Sequence, residues 1–208
     1  MRVVALIAMV GVVLYAAVDV VLQCLPPYYS PISDAESNLA VGPYGAVMNL
    51  NFIGRAVSTL CAVVAIASVG AGSALRQIGL VLLSLGGTSS AVLAFFPTDI
   101  GVQGATVTGA IHLSVAGLGF AAAVVAMVLL TFWLARITAL RATRTVTIVT
   151  AGIAVVGALA LSASLIAFPG VLGLAERVCL VGMLAWVFVV CGGIRRGHGA
   201  GRFGQASR

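Results

Sequence analysis

Charged residues are scarce in this chain of 208 residues, and lysine is absent. Only 8% of the residues are charged and 62% are hydrophobic, whereas a soluble domain carries roughly 25% charged residues. This composition excludes an ordinary soluble domain, a disordered chain and a coiled coil. The long apolar runs indicate a bundle of membrane-spanning helices instead.

The chain also lacks the residue patterns of several chemistries. Its four cysteines are isolated, without the C-x-x-C pair of a thiol oxidase. Among the histidines, only His112 lies in an apolar stretch, which argues against a catalytic zinc site and a bis-histidine haem. Glycine-rich nucleotide motifs and the nucleophile elbow are missing as well. We therefore expect no metal and no cofactor.

A formal net charge of +6 does not indicate a nucleic-acid partner here. Such binding needs a basic face on a water-exposed fold, and these arginines stand mainly in short connections and at the end of the chain. We expect no nucleic acid to bind.

Six apolar stretches are each long enough to cross a membrane, which takes about 20 helical residues. They cover residues 3–22, 45–70, 77–96, 108–134, 146–167 and 176–194. The predicted fold class is therefore all-α, a polytopic membrane protein with a bundle of six transmembrane helices. Residues 1–196 would form this one domain, and residues 197–208 a basic, disordered cytoplasmic tail.

The arginines predict the orientation of the six spans, because basic residues accumulate in cytoplasmic connections. Arg177 is the only arginine near the connections that carry Asp34, Glu36 and Asp99. We therefore place those connections outside and both termini in the cytoplasm. The predicted cytoplasmic side carries Arg2, Arg76, Arg136, Arg141, Arg144, Arg195, Arg196, Arg202 and Arg208.

The longest connection, residues 23–44, lies on the predicted outer side and contains four of the six prolines. It cannot form one continuous helix, because proline breaks a helix interior. Ser33 precedes Glu36 by three residues, which is the spacing of a capping box. This spacing predicts a short helix over about residues 34–41 on the membrane surface.

Ionisable side chains concentrate in the outer halves of the predicted spans. Each needs a partner or a role, because a charge in hydrocarbon is costly. The inner halves are almost entirely Ala, Val, Leu and Gly, so a polar pocket should open outward. The predicted ligand-binding residues are Asp19, Asn51, Arg55, Asp99, His112, Glu176 and Arg177.

A purely structural role is the main alternative for these residues. Arg55 paired with Asp19 or Glu176 would hold helices together without any chemistry. His112 alone is typical of an interfacial hydrogen-bonding residue, and Asp99 of an ordinary turn.

Short motifs occur in the same order as in a known membrane family and span most of the chain. They are YSPIS at 29–33 with Leu39, GPYG at 42–45, FPTD at 96–99 followed by His112, and GLAER at 173–177 followed by Trp186. Together they resemble the bacterial integral membrane family called domain of unknown function 998. The resemblance implies a six-helix protein of the bacterial plasma membrane, and it implies neither an activity nor a substrate.

Three functions fit the sequence. We favour binding or movement of a lipid, or of another apolar molecule with a polar head, because arginine suits a phosphate or carboxylate. Gly117 and Ala121, four residues apart, would then let neighbouring helices pack closely or move. The partners expected on this basis are membrane lipids and a lipid-like ligand.

The first alternative is an intramembrane enzyme that uses Asp or Glu and His112 as acid and base on a lipid or polyprenyl-like substrate. The second is a membrane scaffold subunit that binds a partner protein through its proline-rich outer loop. The sequence leaves the oligomeric state open.

Overall fold

A computed structural model describes residues 1–100 and 104–203, and within these ranges the side chains up to residue 197. The described residues form helices and no strand, which confirms the all-α prediction. The six long helices are α1 (Arg2–Gln23), α2 (Gly45–Ala67), α3 (Ala74–Leu93), α4 (Val107–Leu134), α5 (Arg144–Ile166) and α6 (Leu172–Phe203). Short 3₁₀ helices cover Glu36–Ala40, Thr138–Thr143 and Pro169–Val171.

Five of the six long helices are long and apolar enough to cross a membrane, as judged over the described residues. The exception is α3, whose apolar sequence is interrupted by five consecutive glycine, serine and threonine residues at 86–90. α3 nevertheless packs between α2 and α4 as part of the same bundle. Its polar residues therefore face protein neighbours as well as the bundle surface.

The observed helix bounds differ from the predicted stretches by a few residues at most ends. The largest difference concerns α6, which begins at Leu172 and continues to Phe203. The helix thus includes the first residues of the predicted tail from 197 onward. Residues 204–208 of that tail lie outside the described part of the chain.

Consecutive helices pack side by side, and α6 closes the ring against α1. α6 also contacts α2 and α4, so it is the most enclosed of the long helices. Trp186 of α6 is fully buried, and its indole N–H donates to the Thr131 hydroxyl of α4 at 2.8 Å. A buried indole N–H needs such a partner, so this bond orients α6 inside the ring.

Small residues let two helix pairs approach closely. Between α5 and α6, a Cβ on Gly157 would overlap the backbone of Cys179. Between α3 and α4, a Cβ on Gly119 would overlap the Ser89 side chain. The prediction that Gly117 lies in such a contact is wrong, because nothing is within 4 Å of where its Cβ would be.

The connection from α1 to α2 marks what we call the long-loop end of the bundle. Its backbone is fixed to the start of α6, where Arg177 Nη1 donates to the Pro31 carbonyl at 2.9 Å and the Leu174 N–H donates to the Ile32 carbonyl at 2.9 Å. The loop therefore folds over the bundle end. Residues on its inner side become part of the interior.

The predicted capping box in this loop does not form. The short helix is a 3₁₀ turn that begins at Glu36 and has Ala35 at its N-cap, with no side-chain cap. Glu36 is only 1% exposed, because its carboxylate turns inward to the helices instead of back to Ser33. Tertiary burial thus replaces the local hydrogen bond that the spacing predicted.

Candidate functional site

A polar cluster lies inside the long-loop end, where α1, α2, α3 and α6 meet the 3₁₀ helix of the loop. At its centre, the Tyr15 hydroxyl of α1 donates to Glu36 Oε1 at 2.6 Å. Tyr15 is 2% exposed. A buried hydroxyl and a buried carboxyl each need a partner, and here each supplies the other.

Arg55 of α2 reaches this cluster through neutral groups. Its Nη1 donates to the Tyr15 hydroxyl at 3.2 Å, and its Nε donates to Ser90 Oγ of α3 at 2.8 Å. Ser90 donates in turn to the Phe52 carbonyl at 2.9 Å, which orients its oxygen to accept from Arg55. The guanidinium carbon lies 5.1 Å from the centre of the Tyr15 ring, a cation–π distance.

Two glutamates meet at the same place from opposite ends of the sequence. The backbone N–H of Glu36 donates to Glu176 Oε2 of α6 at 2.7 Å, and both side chains are buried. Burial raises the pKa of Glu36 to about 8. The charge on Arg55 opposes this rise, whereas the carboxylates of Asp19 and Glu176 add to it. Its surroundings therefore favour the protonated form of Glu36.

Asp19 and Asn51 complete the cluster on α1 and α2. Asp19 Oδ2 accepts from Gln23 Nε2 at 2.5 Å, while Asp19 Oδ1 is buried and has no hydrogen-bond partner among the described residues. Asn51 Nδ2 donates to the Tyr15 carbonyl at 3.2 Å. Asn51 thus joins α2 to α1, and the Asp19 carboxylate faces the carboxyl group of Glu36.

Arg177 stands beside the cluster and fixes the loop. It donates to the carbonyls of Pro31 and Asp34 and to the Tyr29 hydroxyl. Burial raises the pKa of Tyr29 above its ordinary value, so the hydroxyl stays protonated and donates to the Ala35 carbonyl at 3.1 Å. Arg177 therefore positions the segment that delivers Glu36.

The structure does not bring His112 and Asp99 to this cluster. His112 Nδ1 lies 2.6 Å from the Phe96 carbonyl. The Asp99 carboxylate accepts from the Thr106 N–H at 2.9 Å and from the Thr106 hydroxyl at 2.6 Å. These hydrogen bonds lower the pKa of Asp99. Both residues organise the connection between α3 and α4.

Four of the seven predicted site residues therefore converge, namely Asp19, Asn51, Arg55 and Glu176. Sequence reasoning missed Tyr15, Glu36 and Ser90 as members of the cluster. Tyr15 precedes Asp19 by one helical turn, which was a usable signal. Glu36 gave no such signal, because its burial depends on how the loop folds onto α6.

An internal cavity of about 40 Å³ begins at Arg55 and is otherwise lined mostly by apolar and small residues of α2, α3, α4 and α6. A groove of about 610 Å³ lies on the outer face of α3 and α4. Ser89 and Gly119 line both spaces. The α3–α4 seam therefore separates the arginine from the outer surface of the bundle.

No group of three or more His, Cys, Asp or Glu side chains in the described part of the chain is arranged to hold a metal ion. The four cysteines are free thiols. The chemistry that the cluster offers is thus that of one guanidinium, three carboxyl groups and one phenol.

One comparison with known proteins gives a match. The model of the family described as "Protein of unknown function (DUF998)" matches residues 9–193. No curated protein and no solved structure matches. The matched region contains the whole polar cluster and the loop that carries Glu36.

Proposed function

This chain belongs to the DUF998 family of proteins of unknown function, and from that premise we propose that it binds a lipid-like molecule with an anionic head through Arg55. The apolar chain of the ligand would lie in the groove on α3 and α4. The observation that carries the proposal is a half-buried arginine at the edge of an apolar cavity, one helix seam away from a groove on the outer face of the bundle.

The proposal places all six helices across a bacterial plasma membrane. Five of them have the required length and hydropathy, and α3 lies within the same ring. The arginines in the first turn of α3 and in the α4–α5 connection lie at the end opposite the long loop, so this end is cytoplasmic by the positive-inside rule. Both termini are then cytoplasmic, and the 3₁₀ helix of the long loop lies at the outer surface.

The surroundings of Arg55 support an anionic partner. Its bonds to Ser90 and Tyr15 use two of its five N–H groups. The acceptors of both bonds are neutral hydroxyls. A carboxylate or phosphate oxygen in the cavity would accept charge-assisted hydrogen bonds from the guanidinium, whose planar shape suits such groups.

The volumes of the two spaces suggest which part of the ligand each would hold. A cavity of about 40 Å³ holds a few waters or one compact head group. The groove of about 610 Å³ is large enough for part of an acyl chain. Ser89 and Gly119 border both spaces and pack closely against each other. The head would therefore reach Arg55 by separating α3 from α4 at this point.

The arrangement gives less support to an acid–base enzyme. That hypothesis needs His112 beside a carboxyl group, whereas His112 lies against the Phe96 carbonyl and Glu176 accepts from the Glu36 N–H. A scaffold role accounts for the loop contacts of Arg177 but not for an arginine that faces a cavity.

The experiment compares binding of oleate and oleyl alcohol to the purified full chain in nanodiscs. These probes share a hydrocarbon chain and differ in the charge of the head. We expect oleate to bind more tightly and Arg55→Leu to weaken it about tenfold or more, as for one lost charge-assisted hydrogen bond. Arg55→Lys keeps the charge and should lose less affinity. Arg76→Leu, at the opposite end, is the matched control.

A second variant tests the groove without touching Arg55. Ala122 lines the groove on α4, and Ala122→Phe should fill it and abolish binding of both probes. Ala163→Phe, on an exposed face of α5, is its control. Equal oleate affinity of the wild type, Ala122→Phe and a folded Arg55→Leu would overturn the proposal.

A further inference from the structure

A second large pocket lies outside the bundle, between the two arms of the long loop. We call it the loop pocket. Its volume is about 400 Å³, within the size range of small-molecule sites. One arm comprises residues 26–29 and the other residues 41–44, and Asp34 and Asn38 lie between them. Ile100 of the α3–α4 connection also lines the pocket.

The backbone fixes the distance between the two arms. Gly42 has a φ of +102°, a conformation that side chains other than glycine rarely adopt. This turn brings the second arm back toward the first, so that a Cβ on Gly42 would be 3.4 Å from the Tyr28 hydroxyl. Arg177 and Tyr29 fix the base of the loop to α6. The pocket is therefore built on a positioned segment.

Aromatic rings of the pocket are open to ligand. Tyr28 is 73% exposed and Tyr44 is 41% exposed, and both line the pocket. Exposed aromatic rings on a fixed loop are typical of contact surfaces, because they offer a large apolar face at low cost in side-chain entropy. Tyr29 lines the pocket too, but its hydroxyl is already bound to Arg177.

Polar groups of the pocket remain available beside these rings. Asp34 Oδ2 accepts from the Ser30 N–H at 2.7 Å, which leaves its second carboxylate oxygen for another donor. Asn38 lines the pocket, and its side-chain amide has no hydrogen bond within the described residues. None of the described residues that line the pocket is an arginine, so the pocket does not suit a phosphate.

We propose that the loop pocket binds a sugar ring. A pyranose has flat C–H faces that pack on tyrosine rings, and hydroxyls that both donate and accept hydrogen bonds. The Asp34 carboxylate can accept from such hydroxyls, and the Asn38 side-chain amide can both donate to them and accept from them. A quaternary ammonium would also pack on tyrosines and would be attracted by the Asp34 carboxylate, but it has no hydrogen-bond donor or acceptor for the Asn38 side chain, whereas a sugar hydroxyl has both.

The test uses the full chain in nanodiscs of phosphatidylglycerol, because maltoside detergents and choline head groups would themselves compete for the pocket. Saturation-transfer NMR measures contact with methyl glycosides of glucose, mannose, galactose and N-acetylglucosamine, and with choline. A parallel arm places a glucosyl diacylglycerol in the nanodisc and measures displacement of the free glycoside. Displacement identifies a glycolipid head as a source of the sugar, and binding without displacement identifies a free saccharide.

Variants assign any signal to the pocket. Tyr28→Ala should weaken glycoside binding about fivefold or more, as for the loss of one aromatic contact, and Asn38→Ala should do the same through lost hydrogen bonds. Phe95→Ala is the matched control, because Phe95 is 72% exposed but does not line the pocket. Absence of signal from all four glycosides, binding of choline alone, or glycoside binding that both pocket variants leave unchanged would overturn the proposal.

Discussion

Tyr15 and Glu36 form the contact that ties the long loop to the interior of the bundle. The phenol of α1 donates to a carboxyl group that belongs to the loop, at 2.6 Å. The same phenol accepts from Arg55. One hydroxyl therefore links the loop, α1 and α2.

Tyr15→Phe should destabilise the protein by about 1–3 kcal/mol, because it leaves a buried carboxyl and a guanidinium N–H without their partner. Thermal unfolding in detergent measures the change. Tyr28→Phe is the control, since the Tyr28 side chain is 73% exposed and should tolerate the loss of its hydroxyl. Equal melting temperatures for wild type and Tyr15→Phe would show that the link contributes nothing to stability.

The stability of the fold should fall as pH rises between about 4.5 and about 8, because burial raises the pKa of Glu36 from 4.5 to about 8. Glu36 binds its proton more tightly in the folded state than in the unfolded state. The resulting stabilisation is complete below the pKa of Glu36 in the unfolded state and is lost as the pH rises through its pKa in the folded state. Tyr15, Asp19, Arg55 and Glu176 are the groups that face the Glu36 carboxyl.

Glu36→Gln tests this prediction, since it keeps an acceptor for Tyr15 but cannot titrate. The melting temperature of the variant should depend less on pH across that window than that of the wild type. Asp99→Asn should leave the slope unchanged, because hydrogen bonds from Thr106 hold the pKa of Asp99 below its ordinary 3.8. Parallel wild-type and Glu36→Gln curves would contradict the role assigned to Glu36.

The α3–α4 seam should not tolerate a larger residue at Gly119. Gly119→Ala would place a Cβ against Ser89, at a cost of about 1–3 kcal/mol for overpacking. Ser89→Ala in the same chain removes the hydroxyl that collides first and should restore part of the loss. Gly117→Ala, two residues away in open space, should be neutral or stabilising. Equal changes in stability for Gly117→Ala and Gly119→Ala would show that the close contact between α3 and α4 does not lie at Gly119.

Gly157→Ala should be more damaging than Gly119→Ala, because its Cβ would meet the backbone of Cys179, which cannot rotate away. We expect a loss at the upper end of about 1–3 kcal/mol and a lower yield of folded protein. Gly152→Ala on the same helix meets nothing within 4 Å and serves as the reference. Melting temperatures and monodispersity by gel filtration distinguish the two variants, and equal values would contradict the close approach.

The sequence by itself determined the class of protein and the approximate position of every long helix. Twenty or so apolar residues in succession leave few options, because a helix is the structure that satisfies its own backbone in hydrocarbon. The sequence also placed the ionisable residues of the spans in one half of the bundle, without showing which of them meet. That inference needs only chain direction and the rise per residue of a helix.

Tertiary structure decided which side chains meet. The sequence of α4 has no distinct polar and apolar sides, so it does not show which side packs against a neighbouring helix. The structure shows that Gly119, and not Gly117, contacts α3. Glu36 resembled a local helix cap until the loop folded over α6 and buried it beside Tyr15 and Glu176. Local patterns report the energetics of a few neighbouring residues, whereas burial depends on contacts between segments 21 and 140 residues apart.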